Sequence, residues 1–378
     1  MTDIFITSDN ILTPIGLTTA ENFSQLRKNV SGIKMQDDIN MSEQPFYAAL
    51  FKKDENFLND ENLQSFTKFE RLLITSINDA LKDSPVSPED KKTILIISTT
   101  KGNISLLETG TYNKGLQNRI SLHSSAKRVA EHFKFINQPV VISNACISGM
   151  LAILTGMRLI QSGKYENAVI AGADVISKFI LSGFQSFQAI SSSPCKPFDA
   201  ARDGINLGEG AGTVILTSNK DHSSGIKVSG GSVSNDANHI SGPSRTGEEL
   251  NLAISKTMKA AALSAGDIDF ISAHGTATLY NDEMEAKAIT LANLQSVPVN
   301  SLKGYYGHTL GAAGLIESII TIQSMKENMI IPTHGFQHLG VSMPINICST
   351  LYKTTLHNCL KTASGFGGCN AAMIFSKQ

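Results

Sequence analysis

The 378-residue chain sets 32 lysines and arginines against 33 aspartates and glutamates, and 41% of it is hydrophobic. That is enough apolar material for one large or two coupled domains, and the near-neutral balance excludes the global basic field by which proteins hold nucleic acid. No apolar run reaches membrane-spanning length, and the opening Met1-Thr2-Asp3-Ile4-Phe5-Ile6 lacks a secretory leader's basic, apolar pattern, so a cytoplasmic protein without a membrane partner is expected.

In chain order, β-like apolar runs alternate with helical stretches, an α/β pattern with no low-complexity linker. Strands are expected at 93–98, 140–143, 168–171, 212–217, 226–233, 270–273, 297–300 and 372–375, and helices at 68–82, 125–133, 148–162, 247–265, 282–294 and 312–325. One layout occurs twice: a strand at Val140 to Ser143, a small-residue elbow and a helix to Ser162, then a strand at Val297 to Asn300, a glycine-rich elbow and a helix to Met325. Two halves of similar plan follow, 1–220 and 221–378, with Cys146 and His308 at matching elbows.

Free amides and the positive end of a helix favour a thiolate, so the elbow gives Cys146 the surroundings of a nucleophile. The five cysteines, Cys146, Cys195, Cys348, Cys359 and Cys369, are odd in number and never spaced Cys-x-x-Cys, which suggests reduced thiols without a disulfide framework or a metal site. Gly208-x-Gly210-x-Gly212 lacks the spacing of a nucleotide fingerprint and reads as tight backbone packing. Asp282 and Glu285 fall in the first turn of a helix, where carboxylates suit the dipole, and read as structural.

The motifs Asn144-Ala145-Cys146-Ile147-Ser148-Gly149, Pro197-Phe198-Asp199-Ala200-Ala201-Arg202-Asp203-Gly204, Ala273-His274-Gly275-Thr276-Ala277-Thr278, Asn300-Ser301-Leu302-Lys303 through Gly307-His308-Thr309, and Ser364-Gly365-Phe366-Gly367-Gly368 stand in one order along the chain. In that order they resemble the elongating β-ketoacyl-acyl-carrier-protein synthases of the thiolase superfamily, and the resemblance covers nearly the whole sequence. It implies a thiolase-like fold, two pseudo-symmetric halves making five layers α-β-α-β-α, with the active site where they meet.

The resemblance further implies that Cys146 holds an acyl group taken from a carrier-protein thioester. His274 and His308 would donate hydrogen bonds to the oxygen of a decarboxylating malonyl thioester. By the same resemblance Lys303 and Glu317 form a buried supporting pair, and the backbone N–H groups of Cys146 and Phe366 form an oxyanion hole. Thr276 and Thr278 would bind the phosphopantetheine arm, and Phe184, Phe366 and Ile147 the acyl chain. No tightly bound cofactor is implied, the substrates arriving on the phosphopantetheine of an acyl carrier protein. His239, in a loop that the resemblance makes conspicuous, reads as structural support. The segment between Asn103 and Asn144 is short for the family and Ile147 is bulky, which points to restricted chain lengths and keeps a polyene or polyketide pathway beside fatty-acid synthesis. Lys68, Arg71, Lys127 and Arg128 are candidates for carrier docking. The assembly expected is a homodimer, or a heterodimer with a chain-length-factor-like homologue. The alternative, a non-catalytic chain-length partner, typically lacks the cysteine.

Overall fold

The computed structural model describes residues 2–378 apart from 53 and 238–241, so His239 lies outside the described residues. The first half contributes five strands to the main sheet: Phe5–Leu12, Thr93–Ser98, Val140–Ile142, Asn167–Asp174 and Gly210–Thr217. Across the sheet they run first, fifth, fourth, second, third. The second half repeats this order with Ile226–Asn235, Phe270–Ser272, Pro298–Asn300, Asn358–Gly365 and Cys369–Lys377.

Pairing sense repeats as well. In each half the two outer pairings nearest the junction are antiparallel and the two beyond are parallel. Within the sheet the halves meet at the registered pair Phe5 with Lys227, and a short strand, Asn346–Ile347, extends the far edge. The expected strands are present, four of the eight longer than the apolar run that announces them. Two that the sequence conceals are Phe5–Leu12, whose centre is polar and whose register shifts between Ile6 and Asp9, and Asn358–Gly365, which carries a buried lysine.

Helices Ser148–Gln161 and Ala313–Glu327 occupy the middle, where Met150, Ile153, Leu154, Leu315, Ile316 and Ile319 share one core cluster. The second of these helices is buried on nearly every face, hence its lack of amphipathic patterning. Helices Lys68–Lys82 and Leu122–His132 cover the outside of the first half, and Glu248–Ala261 and Leu279–Leu291 that of the second, each over its own cluster. The five layers expected from the sequence result.

Glycines let the central layer close. A Cβ on Gly149 would lie 2.5 Å from Leu315 N, and one on Gly314 2.9 Å from Met150 Cγ, so the two helices touch backbone to backbone at their N-terminal turns. Gly208 meets the Tyr306 carbonyl as closely, while Gly210 and Gly212 face Ile316 and Ile319. This is the packing read from the glycine spacing. Gly149→Ala is therefore expected to overpack the crossing and destabilise the fold by about 1–3 kcal/mol, a loss measurable by urea denaturation; an unchanged midpoint would show that the helices can separate freely.

Candidate active site

Cys146 sits between strand Val140–Ile142 and helix Ser148–Gln161. Ala145 before it is left-handed, φ 42°, an uncommon conformation for a residue with a Cβ. Ser148 Oγ holds this turn by donating to Ala145 O at 2.7 Å and accepting from Asn144 N at 2.8 Å. The chain is thus folded back so that the sulfur faces the second half.

His308 is fixed by first-half backbone. Its N–H donates to Asn206 O at 2.7 Å, and Gly208 N donates to its carbonyl at 3.0 Å. Three residues on, Gly311 N donates at 2.7 Å to Asp174, a buried carboxylate that also accepts from Thr99 Oγ1 and Thr100 N. His308 Nε2 consequently stands 2.9 Å from Cys146 Sγ. His274 packs edge-on against it, with ring centroids 5.3 Å apart at 82°, and the reactive atoms of Cys146, His274 and His308 lie within 4.8 Å of one another.

The loop carrying His274 is anchored by two carboxylates from helix Leu279–Leu291. Glu285 accepts from His274 N (2.8 Å), Gly275 N (2.7 Å) and Thr362 Oγ1 (2.6 Å). Asp282 accepts from Thr276 N (2.8 Å) and Phe198 N (2.7 Å), and burial raises its carboxyl to about 6. Both hold the loop that carries His274 by its backbone N–H groups, a structural part that does not depend on the helix dipole. Lys303 Nζ donates to Glu317 Oε1 (2.6 Å) and His274 O (2.8 Å) and lies 3.3 Å from His274 Nδ1. An ammonium only donates, so Nδ1 accepts and the ring proton resides on Nε2.

Burial governs the protonation states. Both imidazoles are held well below the ordinary histidine range, first by burial and then by the positive charge of Lys303 and Lys361, with His308 also acting on His274. Burial likewise pushes the Cys146 thiol up to about 12, with Cys369 adding and Lys303 opposing. Burial thus opposes the resting thiolate expected from the elbow. Cys195 is pushed as high, so geometry distinguishes Cys146, the cysteine that meets an imidazole. The two ammonium groups oppose a metal cation among these side chains.

Cys146, His274 and His308 lie in a cavity of about 370 Å³ that Thr276, Thr278, Phe184 and Phe366 also line. The threonine hydroxyls contact each other at 2.8 Å, and Thr278 also caps helix Leu279–Leu291. Phe184 stacks on Phe366 (centroids 5.7 Å apart, 27°) and Phe187 meets Phe366 edge-on at 5.3 Å. Phe187 was not anticipated; its i, i+3 spacing from Phe184 is the available signal. A Cβ on Gly365 would lie 2.9 Å from Cys146 N, so only glycine brings the backbone beside Phe366 this near the elbow.

One residue departs from the expected cavity wall. Ile147, at the start of helix Ser148–Gln161, is 1% exposed, packs in the central core and does not line the cavity. No described residue from 101 to 144 lines it either. Of the docking candidates, Lys68 pairs with Glu209 at 2.6 Å, Arg71 bonds the Leu58 and Phe66 carbonyls, and Arg128 bonds the Ser65 carbonyl and covers the Phe66 ring. They are engaged within the fold; Lys127 is exposed, near Glu131.

A thiol that can store an acyl group beside two uncharged imidazoles that can steady an enolate is the equipment of a carbon–carbon condensing acyltransferase on a thiolase-like fold. The chain belongs to the β-ketoacyl synthase family: residues 1–222 match its N-terminal domain and 226–337 its C-terminal domain. It is 27% identical to 3-oxoacyl-[acyl-carrier-protein] synthase 2 of Vibrio cholerae over 421 residues, 99% of each chain. A β-ketoacyl synthase from Burkholderia phymatum STM815 shares the fold at a TM-score of 0.90 and 24% identity, covering 100% of both chains. The ishigamide ketosynthase/chain length factor does so at 0.89 and 23%, covering 100% of this chain and 99% of that one. Among the described residues no helix is long and apolar enough to cross a membrane.

Because the folded rings resist protonation, the unfolded chain takes up more protons as pH falls below 6.5, and stability is lost in that direction. Each histidine should contribute up to about 1.4 kcal/mol per pH unit. Urea midpoints measured from neutral pH downward should show this slope, and His308→Asn should remove one share of it. A wild-type profile flat below pH 6.5 would mean that the rings are charged in the native state.

Proposed function

We propose that Cys146 accepts the acyl group from an acyl-carrier-protein thioester and that His274 and His308 support condensation of that group with a malonyl thioester. The observation carrying this reading is the 2.9 Å contact of His308 Nε2 with Cys146 Sγ, beside a His274 whose Nδ1 is engaged by Lys303. As the sulfur attacks the acyl carbon, its proton passes to Nε2 of His308 and from there to the departing carrier thiolate. The carrier C–S bond breaks and the Cys146 thioester forms. The backbone amides of Cys146 and Phe366 receive the oxyanion.

In the second step the malonyl C–C bond breaks and releases carbon dioxide. Its electron pair enters an enolate whose oxygen accepts hydrogen bonds from Nε2–H of His274 and, once the His308 ring proton has moved from Nδ1 to Nε2, from His308 as well. The enolate carbon then bonds the acyl carbon, and Cys146 leaves as a thiolate that takes a proton from solvent. Thr276 and Thr278 face the cavity where the phosphopantetheine arm would lie, and Phe184, Phe187 and Phe366 stand at its apolar wall. The halves 1–220 and 221–378 then divide the labour, the first supplying the sulfur and the second both imidazoles.

A dimer is supported by strand Val140–Ile142, an apolar β-branched edge of the main sheet that is only half buried, since open edges of this kind seek a partner strand. Whether that partner is a second copy or a chain-length-factor-like homologue is read from the mass of the purified assembly. The unpaired cysteines suit a reducing compartment such as the cytoplasm.

Intact-mass and peptide mapping after exposure to acyl-carrier thioesters should place the acyl group on Cys146, and Cys146→Ala should not condense. Acylation of Cys195 or Cys369 instead would overturn the assignment. His274→Ala should load acyl groups near the wild-type rate yet lose about 100-fold or more in carbon dioxide release. His308→Ala should be slowed in both half-reactions, because its Nε2 serves the thiol as well as the enolate. Equal behaviour of the two variants would remove that division of roles.

A further inference from the structure

Among the described residues that the sequence did not single out, a lysine is buried completely behind His274. Lys361 lies within strand Asn358–Gly365 at 0% exposure. Its Nζ donates to three backbone carbonyls, those of Thr362 at 2.7 Å, Ser272 at 3.1 Å and Ala273 at 3.2 Å, and stands 2.8 Å from Glu317 Oε2. The other oxygen of Glu317 holds Lys303 at 2.6 Å. Two ammonium groups therefore divide one carboxylate, one oxygen each.

We propose that Lys361 is a positioning residue for the condensing reaction: its ammonium is a fixed internal cation that pins Glu317, and through it Lys303, so that His274 presents Nε2–H to the cavity.

Two routes lead from Lys361 to His274. The first is the ion chain Lys361, Glu317, Lys303, His274. With Lys361 in place, its charge 2.8 Å away holds Glu317 Oε2 by ionic attraction, without a hydrogen bond, and Lys303 keeps a donor for Nδ1; without it the carboxylate is free to turn both oxygens onto Lys303 and draw it off the ring. The second route is the backbone. Ser272 and Ala273 immediately precede His274, and their carbonyls would lose a buried donor if Lys361 were removed. A lysine inside a strand is costly to bury, and one merely filling space could be an apolar residue of the same length.

The charged and titratable neighbours come from every element packed around the site. They are Lys303 and Tyr306 from the short helix Lys303–Tyr306, Glu317 from helix Ala313–Glu327 and Glu285 from helix Leu279–Leu291. Asp174 on strand Asn167–Asp174 and Lys101 lie on the Cys146 side, with His274, His308, Cys146 and Cys369 at the cavity itself. Among them Lys361 adds positive charge behind the place where enolate charge develops, and it joins Lys303 in keeping both imidazoles unprotonated.

This inference rests on the proposed decarboxylation, and its test separates the two. In the full-length protein, Lys361→Met is compared with wild type in carbon dioxide release from malonyl-carrier protein across the acid limb, and in acylation of Cys146 by intact mass. The expected result is about 100-fold slower release, an acid limb moved to higher pH and acylation near the wild-type rate. Lys361→Ala, prepared with n-propylammonium or with n-propanol, should regain release with the cation and not with the alcohol; this pair also serves if the Met variant does not fold. Parallel loss in both half-reactions with an unmoved pH profile, unchanged release, or equal rescue by the two additives would overturn the proposal. A wild-type protein that neither loads Cys146 nor releases carbon dioxide would instead defeat the proposed function.

Discussion

The close crossing of the two central helices is the constraint on which the site depends. Leu315 and Met150 approach Gly149 and Gly314 at distances that a Cβ would forbid, so the first turns of both helices, and the elbows feeding them, are brought face to face. Cys146 and His308 come from opposite halves and meet because their helices meet. Their backbones are then locked across the junction, His308 by Asn206 and Gly208, and its helix entry by Asp174. The site is thereby assembled from rigid elements before any substrate arrives, which is the condition for electrostatic preorganisation.

Exclusion of water sets what these groups can do. The imidazoles are kept uncharged and the thiol protonated by the same burial, so the resting site stores no ion pair between nucleophile and base. Its fixed charges sit one layer deeper, on Lys303, Lys361, Glu317 and Glu285, where they orient rather than react. Reacting groups in front remain free to exchange protons during a cycle, while the charged layer behind holds its arrangement through hydrogen bonds to backbone carbonyls and amides.

Much of this was legible in the sequence where physics leaves a pattern. Strand Thr93–Ser98 and helix Lys68–Lys82 have the expected bounds because an unbroken apolar run and a capped amphipathic stretch are local signals. The repeated strand–elbow–helix pattern exposed both Cys146 and His308. Strand Asn358–Gly365 was not legible, since its inward side chains include Lys361 and Thr362, whose partners lie far away in the chain. Glu285 was seen only as a helix-start carboxylate because its bonds to His274 and Gly275 require the loop's conformation. Ile147 neighbours Cys146 in the sequence, yet its side chain packs in the central core and not in the cavity.

The matching strand order of the halves has a consequence for chemistry. Two identical units related by an exact twofold would have to carry the same side chain at both elbows, and a symmetric site can offer only matched groups. Here the repeated units are joined in one chain, so each elbow is spelled separately: sulfur stands at one and imidazole at the other, on frames of the same topology. The covalent connection turns a symmetric meeting point into a polarised one, with a thiol on one side and an imidazole on the other.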